Sequence, residues 1–421
     1  MKKLFCFILL LLCFLLKINV KALNYIDVNI DSNNAILYDV TDDLIMYEKN
    51  SNERIKIASL TKIMTAIVAI EHIDDLDKYV TITENDYKNV YEENLSVVGF
   101  KIGEKVTYRD LLYGLLFKSG ADAAYALSGS ISKDEKEFVK LMNEKAKELG
   151  LTNTFFTNCV GYDEDNYSTV YDTMVFFKYA LENSTFEEII KDDYYTTSDK
   201  KIKLQNVVDE LQEKSVVNSE YNDYVLGGKS GYTKEAKNCL ASFADYNGTR
   251  YIVVTALADK YMQITDSMTI YDAVFKNYSR QKILNKEDYL VSIKTDQDKN
   301  IDIYSDHNID VLLPNGVSKD EVTHDYKGIN ITKKIKENDV LGQVNFEYNG
   351  NIIKSIDLVY DSKIKKQANY KKVGIPVSHN NLGKNILLIC IGMFSLIFIF
   401  ALMLFISLVI DVKKNKRRWK F

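Results

Sequence analysis

Ser59 and Lys62 stand three residues apart in the run Ala58-Ser59-Leu60-Thr61-Lys62. On a helix that spacing puts both side chains on one face, so hydroxyl and amine can meet. A serine hydroxyl is a weak nucleophile and needs a base. A lysine serves as that base only when uncharged, a state that desolvation or a neighbouring cation brings about. A serine at a helix start also lies where the backbone's partial positive charge favours a developing anion. The chemistry open to such a pair is acyl transfer through a serine ester. Ser-x-x-Lys alone is weak evidence, because it begins five times in this chain, at Ser59, Ser130, Ser198, Ser279 and Ser362. Of these, Ser59 opens a strongly apolar segment with Ile63, Met64, Ala66, Ile67, Val68 and Ile70, the burial that a neutral lysine requires.

A second group is Lys229-Ser230-Gly231, between Gly228 and Tyr232. A strand offering a lysine, a hydroxyl and then a glycine can bind a carboxylate: charge from the first, a hydrogen bond from the second, and close approach of a substrate backbone at the third. The triplet also occurs at Lys118-Ser119-Gly120. The two differ in context. One precedes a predicted strand hairpin and the other joins two predicted helices.

The elements that must position these groups follow from apolar spacing. Residues 56–73 read as a buried helix, 109–117 and 121–128 as two more with Ser119 and Gly120 between them, and 136–149 as an amphipathic one. Ser132 and Glu135 have the spacing of a capping box at the head of that last helix. Leu240–Ala244 and Tyr251–Leu257 read as strands joined through Asn247-Gly248, a hairpin signal. Residues 288–360 alternate in short segments (Tyr289–Lys294, Ile309–Leu313, Gln343–Tyr348, Ile352–Val359) between Asn, Asp and Gly turns, the pattern of a small antiparallel β domain.

Composition sets the outer limits. The chain has 421 residues, 46% hydrophobic and 27% charged, a globular balance with room for two or three domains. Its four histidines (His72, His307, His324, His379) are scattered, which excludes a multi-His metal site. The first 22 residues carry a charge of +4 and residues 386–421 carry +5, so the part between them carries −14 of a total of −5. An acidic body argues against a nucleic-acid partner. Two lysines precede an apolar run from Leu4 to Leu16, 13 residues long, and Val20-Lys21-Ala22 follows like a cleavage site, so residues 1–22 are expected to be a signal peptide. Ile386–Ile410 is 25 uncharged residues followed by six Lys/Arg, long enough to span a bilayer with a cytoplasmic basic tail. Cys159 and Cys239 are the two cysteines outside the apolar ends. One bridge is possible, and unpaired small core residues are the expectation.

Taken in order, Ser59-x-x-Lys62, Ser119-Gly120-Ala121 and Lys229-Ser230-Gly231 resemble the three motifs of the penicillin-binding protein and β-lactamase superfamily. The match is closest to the serine-type D-Ala-D-Ala carboxypeptidases, the low-molecular-weight penicillin-binding proteins. Asn34–Asp39 with Tyr47–Asn50 looks like that family's opening hairpin, and Gly103–Thr107 with Asp110–Leu116 like its lead into the second motif. Leu149-Gly150, Thr154, Phe156, Asn158 and Gly161 are similar to its mid-domain signature. Gly228–Ala236 with Cys239-Leu240 is similar to its third motif, and Lys333–Gly342 with Tyr348–Gly350 to its C-terminal β domain.

The resemblance implies an α/β (α+β) fold: a β-lactamase/transpeptidase-like domain at 23–280, with an antiparallel sheet flanked by helices, and a small all-β domain at 281–360. A spacer (361–385), a transmembrane helix (386–410) and a basic cytoplasmic tail (411–421) would follow. It implies Ser59 as nucleophile, Lys62 as base, Ser119 as proton relay, and Lys229, Ser230 and Gly231 at the substrate carboxylate. The backbone N–H groups of Ser59 and Tyr232 would form the oxyanion hole. Peptidoglycan stem peptides would be the substrate and β-lactam antibiotics covalent inhibitors, with no metal or organic cofactor, at the outer side of a bacterial membrane. There are two departures. Ser230 stands where the family usually has Thr, which keeps the hydroxyl, and Ala121 stands where it usually has Asn, which removes an amide. Three functions stay open: the carboxypeptidase, a catalytically weak or inactive wall-binding or β-lactam-sensing protein, and a β-lactamase. The last lacks the Glu-x-x-Leu-Asn loop of class A enzymes, since Glu148–Thr152 ends in Thr.

Overall fold

The computed structural model describes residues 25–360 apart from 88–89, 91–92, 163–164, 216–218, 295–299, 329–335 and 337–338. The signal peptide expected at 1–22, the spacer, the membrane helix and the basic tail lie outside the described residues. Among the described residues no helix is long and apolar enough to cross a membrane. Two compact units divide the chain: residues up to 281 together with 311–317, and residues 282–310 together with those from 318 onward.

The first unit is built on a five-stranded antiparallel sheet in the order β2-β1-β9-β8-β7, formed by β1 (Asn34–Asp39), β2 (Leu44–Lys49), β7 (Val225–Thr233), β8 (Lys237–Tyr246) and β9 (Thr249–Ala258). Short strand pairs β3 (Tyr79–Thr81) with β4 (Lys105–Thr107) and β5 (Tyr194–Thr196) with β6 (Lys203–Gln205) lie outside it. Successive side chains point to opposite faces of a strand, and both faces of this sheet are apolar. Ile36, Phe243, Ile252 and Val254 enter one core, while Ala35, Leu37, Leu240 and Val253 enter another. Six helices contribute to the first core: α1 (Thr61–His72), α2 (Tyr108–Phe117), α3 (Ala121–Ile131), α4 (Glu135–Glu148), α5 (Val170–Leu181) and α6 (Ser184–Lys191). The second is closed by α7 (Val207–Ser215) and α8 (Met262–Asn277). The β8–β9 turn is the expected hairpin, with positive φ at both Asn247 (+49°) and Gly248 (+78°), the requirement of a type I′ turn.

Two local expectations change. The helix expected from residue 56 begins at Thr61, after a short 3-10 turn at Ala58–Leu60. Ala58 has φ +46°, a left-handed conformation that no α-helix continues through. The capping box expected at Ser132 and Glu135 is not formed. Ser132 ends α3, donating from both N and Oγ to the Ser128 carbonyl, and Asp134 caps α4 by accepting from the N–H of Glu137 at 2.9 Å. Asp134 wins because it is the residue with extended backbone next to the first helical turn. α2 does carry a full capping box, between Thr107 and Asp110.

The second unit is β-structure: β11 (Tyr289–Lys294) paired with β12 (Asn300–Tyr304), and a three-stranded antiparallel sheet of β14 (Thr323–Gly328), β15 (Val340–Tyr348) and β16 (Asn351–Val359). Strands β10 (Tyr278–Leu284) and β13 (Ile309–Pro314) straddle the division in sequence. Val344, Phe346, Ile353 and Leu358 are buried in this unit.

Candidate active site

A cleft of about 610 Å³ in the first unit is lined by Ser59, Lys62, Ser119, Ser230, Gly231 and Tyr232 among others. The three sequence groups therefore converge, although they come from a helix start, a helix–helix turn and a strand.

Ser59 sits in the 3-10 turn that leads into α1. Two glycines lie close against that turn. A Cβ on Gly161, whose φ is +85°, would lie 2.0 Å from the Ala58 carbonyl oxygen, and one on Gly231 would lie 2.9 Å from the Ser59 nitrogen. No other residue fits either place, so β7 runs directly past the Ser59 N–H.

Lys62 lies one turn into α1, with Nζ 3.0 Å from Ser59 Oγ. Nζ also donates to the Val160 carbonyl at 2.7 Å, and the residue is 3% exposed. Burial pulls its pKa down from the ordinary lysine value to about 8, against the opposing influence of Cys159 and Asp122. The Val160 carbonyl is aimed by a loop that Asn158 organises: its Oδ1 accepts from Val160 N at 3.1 Å, Gly161 N at 2.6 Å and Asn166 Nδ2 at 3.0 Å.

Ser119 joins α2 to α3 with φ +57°. Its Oγ is buried and has no hydrogen-bond partner among the described residues. A buried hydroxyl without a partner is costly, and here it lies where a bound molecule can supply one. Lys229, on β7, is fully buried and donates to the Ser230 carbonyl at 2.8 Å. Desolvation, then the charge of Lys62, holds its pKa well below the lysine range. Among the described residues no carboxylate pairs with either lysine. Ser230 and Gly231 follow on the strand, and Tyr232 presents a ring that is 67% exposed.

Ala121 is fully buried at the start of α3, its N–H bonded to the Ser96 carbonyl at 2.7 Å. Its neighbour Asp122 accepts hydrogen bonds from Val98 N and Gly99 N at 2.9 and 3.0 Å. Sequence reasoning missed two contributors, the Val160 carbonyl and the Asp122 carboxylate. The Asn158-x-x-Gly161 spacing is the signal that could have found the first. Cys159 and Cys239 are both buried free thiols. Among the described residues no cluster of His, Cys, Asp and Glu could hold a metal.

Comparison with known proteins agrees with this geometry. The model of the D-alanyl-D-alanine carboxypeptidase family, peptidase S11, matches residues 20–260, and that of the penicillin-binding protein 5 C-terminal domain matches residues 278–366. The chain is similar to D-alanyl-D-alanine carboxypeptidase DacF of Bacillus subtilis, 30% identical over 80% of this chain and 86% of that protein. It is also similar to D-alanyl-D-alanine carboxypeptidase DacC of Escherichia coli, 24% identical over 82% and 87%. The solved structure of penicillin binding protein 5 from Haemophilus influenzae shares the fold, with a TM-score of 0.66 at 24% identity over 79% of this chain and 97% of that one. A DD-transpeptidase of Streptomyces gives 0.52 at 29% identity over 59% and 98%.

Proposed function

The chain belongs to the D-alanyl-D-alanine carboxypeptidase family, peptidase S11, and on that premise we propose which of its atoms carry the reaction. It is a serine-type D-Ala-D-Ala carboxypeptidase whose substrates are peptidoglycan stem peptides. As Ser59 Oγ bonds to the carbonyl carbon of the penultimate D-alanine, Lys62 Nζ takes its proton. The carbonyl electron pair moves onto oxygen, where the backbone N–H groups of Ser59 and Tyr232 hold it; such fixed donors act where charge develops. Ser119 relays the proton from Lys62 to the departing nitrogen, the electron pair on oxygen re-forms the carbonyl, the C–N bond breaks, and D-alanine leaves. Water then opens the Ser59 ester and restores the hydroxyl. Lys229 and Ser230 hold the substrate's terminal carboxylate, and Gly231 lets its backbone lie against β7.

The observation that carries this reading is the buried amine of Lys62 at 3.0 Å from Ser59 Oγ, with no carboxylate hydrogen-bonded to it among the described residues. A substrate carboxylate beside Lys229, 0% exposed, would supply the counter-ion that favours its protonated form. Ala121 leaves that chemistry in place and removes one hydrogen-bonding group from the edge of the site.

We further propose that residues 1–22 export the chain, and that residues 386–410 hold it in the membrane by a single span, with the catalytic unit outside and residues 411–421 in the cytoplasm. The 13-residue apolar run behind two lysines and the 25 uncharged residues before six Lys/Arg support this.

The test is covalent capture. A fluorescent penicillin should add one label to the full-length chain at Ser59, located by intact mass and peptide mapping, and Ser59→Ala should remove it. A wild-type chain that stays unlabelled overturns the assignment of the nucleophile.

A further inference from the structure

Asp122 is fully buried in the first turn of α3, three residues after Ser119. Four donors converge on its carboxylate. Val98 N and Gly99 N bond at 2.9 and 3.0 Å, Ala123 N at 3.0 Å and Tyr87 Oη at 3.1 Å. Gly120, the N-cap of α3, has no side chain to cap the helix, so Asp122 also supplies the negative group that a helix start favours.

These bonds bear on the turn that carries Ser119. A Cβ on Gly120 would lie 2.4 Å from a Val98 methyl and 2.7 Å from Asp122 Oδ1. Ala121 N is tied to the Ser96 carbonyl. The segment 96–99 is thus clamped to the α3 start by Asp122, and the 119–120 turn is pressed against the clamp. Ser119 needs such a support, because its φ of +57° is a strained state for a residue with a Cβ.

Charge is the second consideration. Lys62 and Lys229 are buried near one another without an ion pair. The groups facing Lys62 are the Cys159 thiol from the 158–161 loop, Lys229 from β7 and Asp122 from α3. Glu135 stands behind Cys159. Asp86 and Tyr87 stand beside Asp122. Glu93, Tyr162, Tyr232, Lys234 and Lys260 line the rest of the cleft. Asp122 is the fully buried carboxylate in this set.

We propose that Asp122 is a positioning residue of the reaction: its carboxylate holds the turn bearing Ser119, and its negative charge, fully buried beneath that turn, is the counterweight to the two lysines buried at the site. The inference rests on Lys62 acting as base, and it goes beyond that assignment by naming what sets the proton affinity of that base. The charge of Asp122 raises the proton affinity of Lys62, in the sense the proposal requires. Removing the charge while keeping the shape should therefore let Lys62 shed its proton at lower pH.

The experiment is the second-order rate of penicillin acylation against pH, on the full-length chain, for wild type, Asp122→Asn and Asp122→Ala. Asn keeps an acceptor for the backbone donors and removes the charge. Its acid limb should move down by about half a pH unit or more. Ala also releases the clamp, and its plateau rate should fall ~100-fold, the cost of a misplaced reacting group. If Asn gives no cooperative melt, Asp122→Ser makes the same charge deletion with room for water. An acid limb at the wild-type pH in a folded charge-deleted variant overturns the proposal. A wild-type profile with no acid limb instead overturns the assignment of Lys62 as base, so the two failures are distinguishable.

Discussion

At the cleft, Lys62 and, behind it, Lys229 are buried with no carboxylate hydrogen-bonded to either among the described residues. At the corner between β1 and β2, Arg280 is held by Asp42, whose side chain is fully buried and meets both terminal guanidinium nitrogens, at 2.9 and 3.1 Å. Thr249 Oγ1 adds a third contact at 3.2 Å. Both places take cations out of water, and the outcomes differ. An amine without a counter-ion escapes the desolvation cost by losing its proton, which makes it a base. A guanidinium cannot deprotonate, so it must be paired, and the pair becomes a structural clamp. The cleft spends stability on reactivity, while the corner does neither chemistry nor binding and ties distant parts of the chain together.

If that contrast is right, substitutions at the two places should separate function from stability. Lys62→Met should lower the acylation rate at least ~1,000-fold, the scale of a lost general base. Its melting temperature should stay within a few degrees of wild type, because the removed desolvation cost is offset by the donor lost from the Val160 carbonyl. Calorimetry and labelling kinetics on the same preparation check both halves. Arg280→Met should do the reverse. Removing the cation from the buried Asp42 carboxylate costs about 3–5 kcal/mol, read as a drop on the order of 10 °C in melting temperature, with acylation of the folded protein within about twofold of wild type. A loss of rate without a loss of stability at Arg280 would break the comparison.

Asp39 sharpens it further. It lies beside Asp42, with Oδ1 accepting from Thr41 N and Asp42 N and Oδ2 buried without a partner. Burial, then the charge of Asp42, raises its pKa from 3.8 to about 7. A carboxyl with a raised native pKa stabilises the fold while protonated. That contribution is full below about 3.8 and is lost as pH rises through about 7. Urea midpoints of the wild type should therefore fall between pH 5 and pH 8. Asp39→Asn, which keeps the Oδ1 acceptor, should lack that component of the fall and be the more stable protein at pH 8, by on the order of 2 kcal/mol. Parallel curves for the two proteins would mean that Asp39 is already ionised at pH 5.

What could be read from the sequence divides along the same line. The Ser59–Lys62 pair, the Asn247-Gly248 hairpin and the alternating strands of the second unit depend on residues a few positions apart, whose spacing repeats with the helix or strand period. Apolar spacing continues through residues 56–60 and so predicts an earlier start for α1 than the fold has, whereas Ala58 turns left-handed where Gly161 and Gly231 approach it closely. The α4 cap went to Asp134 because Ser132 was already bound to the end of α3. Lys229 gave no sign in the sequence that it would be fully buried. The Arg280–Asp42 pair joins residues 238 positions apart, and the contact between Lys62 and the Val160 carbonyl spans 98. No local pattern encodes such contacts; they follow from how the sheet and helices pack.

On this mechanism Ser59 is activated by an amine whose pKa burial lowers to about 8, so that the uncharged form becomes available near neutral pH. The direct measurement is the second-order rate of penicillin acylation of the wild-type chain from pH 5 to 10. The rate should climb about tenfold per pH unit below about 8 and level off above it. A rate that does not change across that range would contradict the claim.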